Sequence, residues 1–119
     1  MAESEMSTVV FEIASLDRVK KRVAAAFRGE PQGQFISFNS VELFSSILTP
    51  KRWEIIKAMT GQGPMSIREA ARRVGRDVKA VHGDVHALIN AGVLNRTEDG
   101  KVVFPYDAVH VDFTITKAA

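Results

Sequence analysis

"SIREAARRVGRDVKAVHGDVHALINAGVL", Ser66 to Leu94, reads as two short helices joined by a glycine turn. Ser66 and Glu69 have the spacing of a capping box, which opens the first helix. Ile67, Ala70, Ala71 and Val74 then make a narrow apolar face whose alanines let another helix approach closely, and Arg68, Arg72 and Arg73 are left toward solvent. Gly75 suits the left-handed residue that ends a helix, and Asp77 suits the cap of the next, so the corner has the length of a helix-turn-helix turn. In the second helix Val78, Val81, Val85, Leu88 and Ile89 recur on one seam. The opposite face carries Lys79, Ala80, His82, Gly83 and His86, small residues beside hydrogen-bonding ones near the helix start.

The flanks extend this unit. Thr49 followed by Pro50 marks a helix start, because proline at the first helical position loses no hydrogen bond. That helix runs to about Thr60, with Trp53, Ile56 and Met59 or Thr60 inward and Lys51, Arg52 and Lys57 outside. After Leu94 come two short strand signals, "VLNR" and "KVVF", joined by the turn "TEDG" with its favourable Asp99-Gly100 pair. Helix, helix, recognition helix and hairpin is the order of a winged helix-turn-helix.

Ahead of Thr49 the chain reads β-α-β-α. "TVVFEI", Thr8 to Ile13, alternates as a strand, and Ser15 caps a helix whose Leu16, Val19, Val23 and Phe27 share one stripe while Arg18, Lys20, Lys21, Arg22 and Arg28 face away. Gly29, Pro31 and Gly33 end it, "FISF" is a second strand, and Asn39 with Glu42 has capping-box spacing before a short helix of Val41, Phe44, Ile47 and Leu48. Near the end, "AVHVDFTI" alternates Val109, Val111, Phe113 and Ile115 against polar residues. The expected fold is therefore α+β: residues 1–48 form an arm for dimerisation or partner binding, and residues 49–119 a winged helix-turn-helix with a C-terminal strand. That last strand could pair with the arm's strands, covered by the Leu16–Phe27 helix, in the same chain or in a second subunit.

Composition narrows the function. A chain of 119 residues with 45% hydrophobic content supports a modest core and excludes two large domains. With no cysteine, disulfides, thiolate zinc sites and thiol nucleophiles are excluded. No apolar run approaches a membrane span, and the polar start "MAESEMST" lacks the apolar core of a signal peptide, so a soluble cytoplasmic protein with no membrane partner is expected. The net charge of +2 is unevenly placed: Pro50 to Lys79 carries eight Lys/Arg against three Asp/Glu, whereas the flanks carry five against six and three against five. The excess sits where an electrostatic footprint on phosphate belongs. His82 and His86, four apart, share a helix face, but a structural metal site usually needs four ligands and nothing in the spacing brings His110 or Asp112 near, so no metal is expected. There is no phosphate-binding glycine loop and no placed catalytic triad, so neither an enzyme nor a cofactor is expected.

The stretch "AVHGDVHALINAGVL" followed by a wing resembles winged-helix regulators of the MarR and ArsR type. The pairing of "LTPKRWEIIKAM", "SIREAARRVGRDVKAVHGDVHAL" and a "VVFPYDAVHVDF" ending is similar to a group of small predicted regulators in bacteria and archaea, over most of Leu48 to Phe113. The resemblance implies a DNA-binding repressor, and some members of the group are similar to antitoxins encoded beside small toxins and regulating their own operons. Gly83 departs from the basic or polar residue that many relatives carry there.

Recognition helices read bases chiefly with their amino-terminal residues. The expected contacts to double-stranded DNA are therefore Lys79, Ala80, His82, Gly83 and His86 on the second helix, and Ser66, Arg68, Arg72, Arg73 and Arg76 on the first helix and the turn. Arg96 and Lys101 join them at the base of the wing, since Glu98 and Asp99 at its tip would be repelled by phosphate. Asp84 is expected to pair with a cation away from the duplex. The expected partners are double-stranded DNA, a second copy in a homodimer, and a small toxin protein. The alternative is a winged-helix adaptor that binds a protein and no DNA.

Overall fold

Strand β1 (Thr8–Ile13) lies at the centre of a three-stranded sheet in the computed structural model, which describes residues 7–115 and Lys117. Met1–Met6, most of the polar start read above as no signal peptide, lie outside the described residues. β1 is followed by α1 (Leu16–Phe27) and β2 (Phe35–Phe38), which pairs parallel with β1 from Val10↔Phe35 to Ile13↔Phe38. Parallel neighbours need a crossover, and α1 supplies it. The chain then forms α2 (Val41–Ile47), α3 (Pro50–Met59), α4 (Ile67–Val74), α5 (Val78–Asn90), the hairpin β3 (Asn95–Arg96) and β4 (Val102–Val103), and β5 (Ala108–Asp112). β5 returns to the free edge of β1, also parallel, with Val9↔Val109 and Phe11↔Val111 in register. The terminal strand thus pairs with the arm inside one chain.

This topology gives the arm and the helices a common core. β1 turns Val9 and Phe11 inward, and both are fully buried in one cluster with Phe38, Ile55, Ile56, Met59, Val81, Val85, Leu88, Val102 and Phe104. Phe11 stands at the junction, its ring 6.0 Å from Phe38, 5.7 Å from Trp53 and 6.2 Å from Phe104, the last edge-on. These separations are those of favourable aromatic pairs. The β3–β4 hairpin is tied down by Met65, whose amide donates to the Val102 carbonyl and whose carbonyl accepts from the Val102 amide, at 2.9 and 2.8 Å.

Several details depart from the sequence reading. α2 is capped by Ser40, not Asn39: the helix begins at Val41, and the oxygen that reaches the Leu43 amide, at 3.0 Å, must come from the residue just before it. The stripe on α1 is not buried; Leu16, Val23 and Phe27 are 62, 49 and 89% exposed. Arg22, expected to face away, turns inward instead. It donates through both Nη atoms to the carboxylate of Glu12, which is only 3% exposed on the outer face of β1, and its guanidinium lies 3.8 Å over the Phe35 ring. A buried carboxylate on a strand must be matched by a cation, and α1 is placed to supply it. Burial pushes the Glu12 carboxyl up, but the hydrogen bonds from Arg22 and Ser37 and the charges of Arg22 and Arg18 outweigh it and leave the group below its ordinary value. β5 ends at Asp112, so Phe113 and Ile115 lie past the strand, and the Phe113 ring packs 5.5 Å from Phe44.

Candidate nucleic-acid interface

The corner between α4 and α5 is built from three local devices. The Ser66 hydroxyl accepts from the Glu69 amide at 3.0 Å and starts α4. Gly75 takes the left-handed conformation (φ 67°, ψ 36°), and the amides of Gly75 and Arg76 donate back to the carbonyls of Arg72 and Ala71. The Asp77 carboxylate then accepts from the Lys79 and Ala80 amides, at 3.0 and 3.3 Å, and starts α5. Ala70 and Ala71 are buried with Val81, Val85 and Leu88, so the seam is the expected one, except that Val78 is exposed at its start.

With this seam inward, Lys79, Ala80, His82 and Gly83 form the exposed face of α5, and His86 is half-buried beside them. No atom beyond the local chain lies within 4 Å of where a Gly83 side chain would begin, so its smallness is not required by packing. The imidazoles of His82 and His86 meet with their Nε2 atoms 3.1 Å apart. Burial, then the charges of His82 and Arg96, hold the His86 imidazole below its ordinary value, which also places Arg96 of β3 within electrostatic reach of α5.

The basic residues divide into paired and unpaired. Asp84 binds two arginines: its Oδ1 accepts from Arg52 Nε at 3.1 Å and its Oδ2 from Arg76 Nη2 at 2.8 Å, all three side chains being about one-fifth exposed. Burial raises the Asp84 carboxyl, but hydrogen bonds from Arg76 and Arg52 and their charges prevail and hold it low. Arg76, a sequence candidate for a phosphate or a base, is thus committed to Asp84. Arg52, placed outside by its helical position, also donates to the Ile47 carbonyl at 3.1 Å and ties the end of α2 to α5. Asp84, the only acidic residue on α5, was the signal for this pairing.

On α4, Glu69 accepts from Arg72 and Arg73 at 2.6 and 2.7 Å, and these hydrogen bonds lower its carboxyl to about 2. Arg73 also donates to the Gln62 side chain at 3.0 Å. In the turn between β3 and β4, Lys101 lies 3.9 Å from Asp99. Among the described residues, Arg68, Lys79 and Arg96 form no ion pair. The structure gathers Ser66, Arg68, Arg72 and Arg76 with Val78 around one open groove of about 390 Å³ between α4 and the start of α5. Arg73 and Lys101 are outside its lining.

Among the described residues, no group of three or more His, Cys, Asp or Glu is placed to hold a metal ion, and no helix is long and apolar enough to cross a membrane. In comparison with known proteins, the family described as HVO_A0114 matches residues 47–111, more than half of the chain, from the end of α2 through most of β5. No curated protein matches it.

Proposed function

The chain belongs to the HVO_A0114 family, and for the module spanned by that match we propose a DNA-binding role: a winged helix-turn-helix that lays α5 in the major groove and represses transcription. The observation that carries this reading is the exposed face of α5. Small residues, Ala80 and Gly83, stand beside Lys79 and His82 there, and unpaired Arg68 and Arg96 belong to the adjoining elements. A cation without an acid partner engages phosphate at no cost of a broken pair, whereas Arg72, Arg73 and Lys101 must first release theirs. The order α3, α4, α5, β3, β4, with Met65 bridging to Val102, supports the winged-helix assignment. In this reading Lys79, Ala80 and His82 meet base edges, Arg68 and Arg96 meet phosphates, and Arg76 acts indirectly by seating α5 through Asp84. No reaction is assigned to the chain.

The test is fluorescence anisotropy against a duplex from the chain's own upstream region and an unrelated duplex, at several salt concentrations. Salt-sensitive binding that prefers the upstream duplex is expected. Two phosphate contacts per copy, from Arg68 and Arg96, doubled in a dimer on a two-fold site, give a slope of log K against log salt of roughly −4. Lys79→Ala weakens binding, and Gly83→Glu, for which there is open space, abolishes it while leaving the circular dichroism and thermal midpoint intact. Unchanged binding by folded Gly83→Glu removes α5 from the groove.

A second reading, a protein-interaction module without a DNA role, draws on the exposed stripe of Leu16, Val23 and Phe27 on α1. Scattered exposed apolar residues are ordinary, but three on one helix stripe form a patch. This stripe also supports the proposed homodimer and a contact to a toxin-like partner. Light scattering that shows a monomer across micromolar concentrations refutes the dimer, and absence of any DNA binding with a self-associating or partner-bound arm favours the second reading.

A further inference from the structure

We propose that His82 and His86 form a two-ligand site for a borderline transition-metal ion such as Zn²⁺, Ni²⁺ or Cu²⁺. Residues four apart on a helix stand one above the other, and here the two rings are 4.2 Å apart with Nε2 facing Nε2 at 3.1 Å. Metal–imidazole bonds are about 2.0–2.1 Å long. An ion equidistant from both Nε2 atoms at that length subtends an N–metal–N angle of roughly 100°, between the octahedral and tetrahedral values. The pair is therefore already set at a chelating separation.

The surroundings agree with a small, exchangeable site. His82 is exposed and His86 half-buried, so an ion can enter from solvent and keep water in its remaining positions. Imidazole nitrogen suits Zn²⁺, Ni²⁺ and Cu²⁺ and not Mg²⁺ or Ca²⁺, which take oxygen ligands. Both rings must be neutral with Nε2 free. A hydrogen bond between the two Nε2 atoms requires a proton on one of them, whichever ring that is; on metal binding that proton moves to Nδ1 of the same ring through solvent, so both Nε2 lone pairs face the metal. The charge of Arg96 nearby opposes the ion and, with only two protein ligands, keeps affinity below that of a closed four-ligand site.

The site stands independently of the DNA reading. If that reading holds, the ion occupies the face that enters the groove, so metal and DNA compete; this consequence rests on the proposed function. The primary measurement is therefore made on the full chain without DNA, as a Zn²⁺ titration followed by the ring ¹⁵N signals of the three histidines. His110, on β5, is the internal control. The expected result is a joint shift of His82 and His86 at one midpoint, with His110 unmoved. His82→Ala weakens the response of His86 by at least about tenfold, the lower end of what even outer-shell losses cost at metal sites, and His86→Ala does the same to His82. Both are surface changes to a better helix former, so the fold is retained. No shift, equal shifts at all three histidines, or a His86 response untouched by His82→Ala would each overturn the site, the latter two as adventitious binding only. Loss of metal–DNA competition alone, with the joint shift intact, would count against the DNA reading and not against the site.

Discussion

Asp84 shows how one residue can decide the roles of its neighbours. Placed at the middle of α5, it draws Arg76 from the turn and Arg52 from α3 onto the same carboxylate, and so commits Arg76 to an ion pair within the protein. Breaking a partly buried pair is costly because it leaves the surviving charges without a counter-ion. Asp84→Ala leaves two arginines in that state, and we expect it to lower stability by about 2 kcal/mol, a value reduced from the fully buried case because these side chains keep some solvent. Urea denaturation checks this through the midpoint. An unchanged midpoint would mean that the three side chains are held by packing and not by their charges.

At the scale of elements, α4 carries its own electrostatic support. Glu69 in its first turn suits the positive end of the helix and accepts from Arg72 and Arg73 in the last turn. Its carboxyl is lowered to about 2, against an ordinary value near 4.5. A group whose folded value is depressed stabilises the fold above its unfolded value and loses that contribution as pH falls through the folded value. The stabilisation from Glu69 is therefore complete above about pH 5 and declines toward pH 2. Glu12 and Asp84, also held low, act with the same sign. The thermal midpoint of the wild type is expected to fall more steeply over this window than that of Glu69→Gln, and the two curves to converge at its acid end. Parallel curves would show that the Glu69 pairs contribute nothing to stability.

At the scale of the whole molecule, the parallel return of β5 to β1 makes the arm and the helical module share one interior. Unfolding is expected to be a single transition, with the fluorescence of Trp53, the only tryptophan, coinciding with helix loss by circular dichroism. Phe11→Ala removes the ring that touches Phe38 of β2, Trp53 of α3 and Phe104 beyond β4 at once. A loss of about 3–5 kcal/mol is expected, a large part of the stability of a chain this size. Two separated transitions, with the helices surviving loss of the arm, would show that the interior is not cooperative.

What the sequence determined by itself was local. Periodicity, caps and punctuating residues act between positions a few residues apart, so the helices from Pro50 to Asn90, the Gly75 corner and the strands Thr8–Ile13 and Phe35–Phe38 were legible, as was the α5 face of Lys79, Ala80, His82 and Gly83. Only the tertiary structure decided what depends on meetings between distant segments. It turned Arg22 inward to Glu12 and left the α1 stripe exposed, although helical spacing pointed the other way. It joined β5 to β1 across about a hundred residues, and it sorted the arginines into those held by Asp84 or Glu69 and those left open. Spacing tells which side of a helix a residue occupies. It does not tell which charge the fold will bring to that side, and at partly buried positions the charge decides where a side chain points.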